Sequence, residues 1–173
     1  MKRYLLIILL LGTVLALLSA SNQVTIKLTT SVPEILIHGF LRGDSTTEIF
    51  ASEDVDDGFN PDGASFTYAV KTNTSIPMTV YASITPFEQQ QALDPAFVNI
   101  EKILVGKDNQ NESESILLLG YESPYDLITL NPDQGGMAVY AYTLTVVANQ
   151  SDVEIAPAGE YKSTVSIGIR TEN

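Results

Sequence analysis

The densest run of groups that could do chemistry is Asp54-Val-Asp56-Asp57-Gly58-Phe-Asn60-Pro-Asp62-Gly63. Asp54, Asp56, Asn60 and Asp62 place oxygen ligands at even spacing. Such a run suits a calcium loop, because a hard cation takes several carboxylates around a tight backbone turn. The full D-x-[DN]-x-[DN]-G pattern with a distal bidentate glutamate is missing. A solvated acidic turn between strands accounts for the same residues, so the four stand as candidate metal ligands beside an expectation of no metal site. His38 is the only histidine and lies in an apolar run, where a packed or edge role is the ordinary one. A Ser-His-Asp arrangement would have to use it, and no Gly-x-Ser-x-Gly elbow presents a serine. The remaining carboxylates cluster in loops, as on a solvated surface, and not as a tuned acid and base. The expectation is therefore no catalytic residue, no cofactor and no enzymatic activity. Asn73-Thr-Ser75, Asn111-Glu-Ser113 and Asn149-Gln-Ser151 fit the N-glycosylation sequon, which has meaning only in a eukaryotic source.

With so little chemistry in the side chains, the elements that would carry them become the better guide. Lys2 and Arg3, an almost wholly apolar stretch over residues 5–18, and the small Ser19-Ala20-Ser21 read as a secretory signal peptide over residues 1–21. The alternative is a retained membrane anchor, since residues 4–20 approach spanning length. Cleavage leaves residues 22–173, enough for one domain with a real core. There is no cysteine, so an exported fold of this chain is closed by hydrophobic burial or by a partner, and not by disulfides. Losing Lys2 and Arg3 with the leader takes the formal net charge from −12 to −14. Such a surface repels nucleic acid and anionic membrane and keeps an exported protein soluble.

Two alternating segments, residues 137–147 and 160–170, dominate the C-terminal part. In the second, Tyr161, Ser163, Val165, Ile167 and Ile169 fall on one side and Lys162, Thr164, Ser166, Gly168 and Arg170 on the other. A period of two with β-branched residues on the apolar side is a half-buried strand. Residues 22–30 alternate in the same way through Val24, Ile26 and Leu28 and read as a strand. Residues 34–41 are more continuously apolar and read as a strand covered on both faces. Further strands are expected near 48–50 and over 65–71, 76–85, 97–105, 115–121 and 127–130, with a polar loop at 52–63. Residues 89–96 read as a loop or a single helical turn. Eight or nine strands at regular turn spacing, with no segment long enough for a substantial helix, describe one all-β sandwich domain. No regular strand is evident after Arg170, so an immunoglobulin-like sandwich would be one strand short.

The start of the mature chain, V-T-I-K-L-T-T-S-V-P-E-I-L-I, and its C-terminal stretch, A-P-A-G-E-Y-K-S-T-V-S-I-G-I, resemble the two ends of the colonisation-factor (alpha-class) chaperone–usher fimbrial major subunits. Those pilins are cysteine-free, begin with an alternating donor segment running into a V-x-P-type turn, and end with a small-Gly-x-Tyr strand. The resemblance covers about thirty diagnostic residues, and the acidic run at 54–62 has no place in the family's pattern.

The resemblance implies an incomplete immunoglobulin-like β-sandwich completed by donor-strand exchange, a form of β-strand addition. A periplasmic chaperone fills the groove first, and an N-terminal segment from the next subunit replaces it at the outer-membrane usher. Val24, Ile26 and Leu28 are then the donor strand, and Tyr161, Val165, Ile167 and Ile169 the acceptor-groove strand. The product is a structural subunit of a cell-surface fimbria with a contribution to adhesion. Two alternatives stand beside this. Residues 22–30 could be the first strand of a complete, self-sealed sandwich, and the protein a monomeric secreted binding module for carbohydrate or protein. Exposed aromatics on loops would mark the latter; Tyr121 and Tyr125 are the only pair of interest.

Overall fold

A computed structural model describes residues 27–42, 48–107, 113–117, 124–132 and 136–172. The expected signal peptide, Val24 and Ile26, Asn111 and Tyr121 lie outside the described residues. Among those described, no helix is long and apolar enough to cross a membrane.

The chain is all-β, in antiparallel sheets consistent with a β-sandwich. The strands are β1 (Leu36–Leu41), β2 (Ile49–Phe50), β3 (Ala64–Thr72), β4 (Met78–Ile84), β5 (Phe87–Gln89) and β6 (Phe97–Val98). They continue with β7 (Ile100–Lys107), β8 (Ser113–Leu117), β9 (Tyr125–Leu130), β10 (Ala138–Ala148), β11 (Tyr161–Lys162) and β12 (Val165–Thr171). One short helix, α1 (Gln150–Ile155), follows β10. The larger sheet runs β2-β1-β3-β10-β7-β8; the smaller ones run β12-β4-β9 and β11-β5-β6.

One core joins them. Tyr68 and Val70 of β3, Ile103 and Val105 of β7, and Tyr142, Leu144 and Val146 of β10 meet Met78, Val80, Ala82 and Ile84 of β4 and Leu127, Ile128 and Leu130 of β9. The alternation over 76–85 thus buries the expected side of β4, except that Ile76 lies outside the strand and is exposed. At about 1.5–3 kcal/mol per fully buried aliphatic side chain, this shared layer is the main stabilising term of the fold.

Several strands expected as continuous are broken, and the breaks have visible causes. The 97–105 stretch divides at Asn99, whose N–H and Nδ2 both donate to Asp152 Oδ2, at 3.0 and 2.7 Å. Its carbonyl accepts from Asn149 N–H at 2.8 Å. The 160–170 stretch divides at Ser163–Thr164, where Ser163 Oγ donates to the Thr85 carbonyl (2.6 Å) and Thr164 N–H donates to Thr85 Oγ1 (2.9 Å). Side chains there replace ladder hydrogen bonds. The helix α1 was not anticipated; Asn149 caps it by accepting from the N–H groups of Ser151 and Asp152.

Two expectations for the N-terminal part are corrected. Residues 27–33 belong to a unit separate from Glu34–Asn173. No strand runs through 27–30, and Leu28 and Val32 are 90% and 83% exposed. Alternation marks a capacity for pairing, but a strand exists only where a neighbour closes its ladder. Residues 34–41 are not covered on both faces either: Leu36, Ile37 and His38 are exposed, because β2 pairs with β1 only at Phe40 and Leu41. Gly39 allows that pairing, since a Cβ there would run into the Phe50 carbonyl.

Candidate functional site

The residues expected to form an acceptor strand converge in part. Val165, Ile167 and Ile169 of β12 turn one side to the core and are half-buried against it, while Ser166 and Arg170 face out. Thr164 carbonyl accepts from Thr85 N–H at 3.1 Å, and Pro77 carbonyl accepts from Glu172 N–H at 3.0 Å. In this antiparallel register the even-numbered residues therefore aim their amides at β4. The N–H and C=O groups of Val165, Ile167 and Ile169 point the other way. No strand among the described residues pairs with β12 on that side.

The same reasoning applies to β1. Asn73 N–H donates to the Ile35 carbonyl at 3.2 Å, and Ile35 N–H donates to Asn73 Oδ1 at 2.7 Å. Odd-numbered residues of β1 thus face β3, and the backbone groups of Leu36 and His38 point away from it. The side chains of Leu36, His38 and Phe40 are in register with Thr72, Val70 and Tyr68, all three fully or almost fully buried, so this side of β1 looks toward the core.

Between the two strands the core is open. A cleft of about 410 Å³ is lined by His38, Gly39, Phe40, Ala51 and Tyr68 and, from β12, by Val165, Ser166 and Ile167. A second cavity of about 130 Å³ shares Phe40 and Val165 and continues past Phe66, Phe87 and Val146 to Val55 of the acidic loop. Together they make a groove of mixed polar and apolar lining between β1 and β12, strands of different sheets.

One polar pair sits in it. Tyr68 Oη lies 3.0 Å from His38 Nδ1, and the rings meet edge-on with centroids 6.0 Å apart. Burial pushes the Tyr68 phenol well above the ordinary tyrosine value and lowers His38 below the ordinary histidine value. The two groups share one hydrogen bond, whose donor is set by the imidazole tautomer.

The other expected site residues lie elsewhere. Tyr161 is on β11, packed on Phe59 at 5.2 Å between centroids, and its hydroxyl donates to the Pro157 carbonyl at 2.9 Å. Phe59 also meets Phe87 edge-on at 5.1 Å, so an aromatic trio holds the loop at 52–63 in place. In that loop Asn60 Oδ1 accepts from Asp62 N–H at 2.9 Å, and Gly63 N–H donates to the Asn60 carbonyl at 2.8 Å. Asp54, Asp56 and Asp62 are exposed, and among the described residues no three carboxylate, imidazole or thiol groups converge. Of the sequons, Asn73 and Asn149 spend their side-chain oxygens on backbone N–H groups. Tyr125 is packed half-buried against the core.

The residues of the opposite wall, His38, Phe40 and Tyr68, were not anticipated as site residues. Their signal in the sequence is the alternation of Leu36, His38 and Phe40, which the neighbouring Ile35, Ile37 and Leu41 obscure. Comparison with protein-family models, with curated proteins and with solved structures returns no match for this chain.

Proposed function

We propose that the protein is a structural subunit of a secreted cell-surface fibre, assembled when residues 22–30 of one copy complete the sandwich of the next. The observation that carries this reading is the groove between β1 and β12. Both bounding strands turn backbone N–H and C=O groups away from their own sheet partners, and Phe40, Val165 and Ile167 line it. An extended segment laid there would supply hydrogen bonds to two edges and side chains to the core, as strand addition does.

Residues 22–30 have the matching chemistry. Val24, Ile26 and Leu28 alternate with polar residues, and Leu28 is left exposed within its own chain. At about 1.5–3 kcal/mol each, three buried aliphatic side chains contribute several kcal/mol before ladder and ordering terms. The contact is heterologous, one end of a copy to the side of the next, so it propagates into a fibre and does not close. In this reading the fold is an immunoglobulin-like sandwich lacking one strand. The N-terminal leader and the resemblance to fimbrial subunits add export through a periplasm, a chaperone that occupies the groove before assembly, and an usher.

The test is assembly of the mature chain, residues 22–173, after any chaperone is removed. Light scattering and electron microscopy should show the wild-type chain polymerising and Ile26→Asp remaining monomeric yet folded when a peptide of residues 22–32 is supplied. A wild-type chain that stays monomeric at high concentration overturns the fibre reading. Ile26→Asp that instead destabilises a wild-type monomer identifies a self-sealed sandwich.

A further inference from the structure

We propose that His38 makes occupation of the groove pH-dependent: a strand enters when the imidazole is neutral and is expelled when it is protonated. This rests on the reading of the groove as a strand acceptor, and the experiment below separates the two.

His38 is the only histidine of the chain, and it stands on the core-facing side of β1, in register with Val70 and between Leu36 and Phe40. It lines the larger cleft together with Val165, Ser166 and Ile167 of β12. The groups that face it are few. From β3 there is the Tyr68 hydroxyl; from β12 there are Val165, Ser166 and Ile167; after β2 there is Ala51. Tyr68 is the only other titratable residue among those lining this cleft. Glu53 lines the adjoining cavity and is bound by Arg42. Among the described residues lining this cleft there is no carboxylate.

Protonation has two consequences. An imidazolium donates from both nitrogens, so Nδ1 can no longer accept from Tyr68. The Tyr68 hydroxyl must then accept from Nδ1–H. With the groove open, His38 is exposed and water solvates the new charge. A strand in the groove removes that water, and the charge is left in an apolar enclosure. Burial already lowers the affinity of His38 for a proton in the open groove, and filling the groove lowers it further.

The sign follows from linkage. Because the imidazole releases its proton more readily in the filled groove, affinity for the strand is full above the open-groove pKa. It falls as the pH drops through that value and levels off below the filled-groove pKa. Each unit between the two values changes affinity about tenfold.

The measurement uses the mature chain carrying Ile26→Asp, which cannot donate, and an acetylated, amidated peptide of residues 22–32 as probe. Binding is expected to be at least about tenfold weaker near pH 5 than near pH 7.5. His38→Phe should bind equally at both. The imidazole C–H resonances of the single histidine should titrate at lower pH with peptide bound than without, a readout that needs no substitution at His38. Peptide binding that is equal at both pH values, or an imidazole that titrates at the same or higher pH when peptide is bound, overturns the role of His38 and leaves the acceptor reading intact. Absence of peptide binding at every pH overturns the acceptor reading and this inference with it.

Discussion

Phe40 of β1 and Val165 of β12 line the same two cavities, although their strands belong to different sheets and no ladder joins them. Side chains from the two sheets therefore approach across a gap where backbone pairing is missing. In a closed sandwich the edge of one sheet is covered by a strand or loop. Among the described residues no strand pairs with the outer side of β12, and its aliphatic row is half-buried.

The two sides of β12 should respond oppositely to the same charge. Ile167→Asp places a carboxylate against the core and should lower unfolding free energy by about 1–3 kcal/mol. Ser166→Asp, on the exposed side, should change it by less than about 0.5 kcal/mol. Urea unfolding of both variants is the check, and a larger loss for Ser166→Asp than for Ile167→Asp would mean that the sides are reversed.

Gly39 should not tolerate a side chain. The Phe50 carbonyl occupies the space that a Cβ would need, so Gly39→Ala must push β2 away from β1 or strain both. The expected loss is about 1–3 kcal/mol, the range found for overpacked positions. Amide exchange should show lost protection at Ile49 and Phe50, while β3 and β10 stay protected.

The acidic loop should behave as a connection between strands. Asn60 holds the turn through Asp62 N–H, and Phe59 anchors it on Phe87 and Tyr161. Phe59→Ala should cost about 1–3 kcal/mol through lost packing. Added calcium should leave the melting temperature unchanged relative to chelator. A rise of several degrees at micromolar calcium would establish a site at Asp54, Asp56, Asn60 and Asp62, because a ligand of the native state must stabilise it.

Alkali should weaken the fold by a defined route. Burial raises the Tyr68 pKa, and burial together with the neighbouring Tyr140 raises that of Tyr142. Both phenols ionise more readily in the unfolded chain, near the ordinary value of about 10. Their contribution is therefore fully present below about pH 10 and is lost as the pH rises toward the folded values. Unfolding free energy should fall as the pH rises above about 10, and Tyr142→Phe should fall less steeply than wild type.

Local alternation determined much of this protein from its sequence alone. A period of two depends only on side chains falling on opposite faces of an extended chain, so the strands over β3, β4, β10 and β12 and the inward side of β12 could be read directly from residue order. Alternation does not tell whether a ladder forms: residues 27–30, at the end of the alternating 22–30 run, form no strand. The breaks at Asn99 and Ser163 were hidden because they depend on hydrogen bonds to Asp152 and Thr85, distant in the sequence. What only the tertiary structure decided is which strand lies beside which. It put β12 at the edge of its sheet, brought Phe40 to Val165, and placed the single histidine in the gap. Pairing is decided by the fit of whole faces and the closure of ladders between segments far apart in the chain, and no residue carries that information in its own neighbourhood.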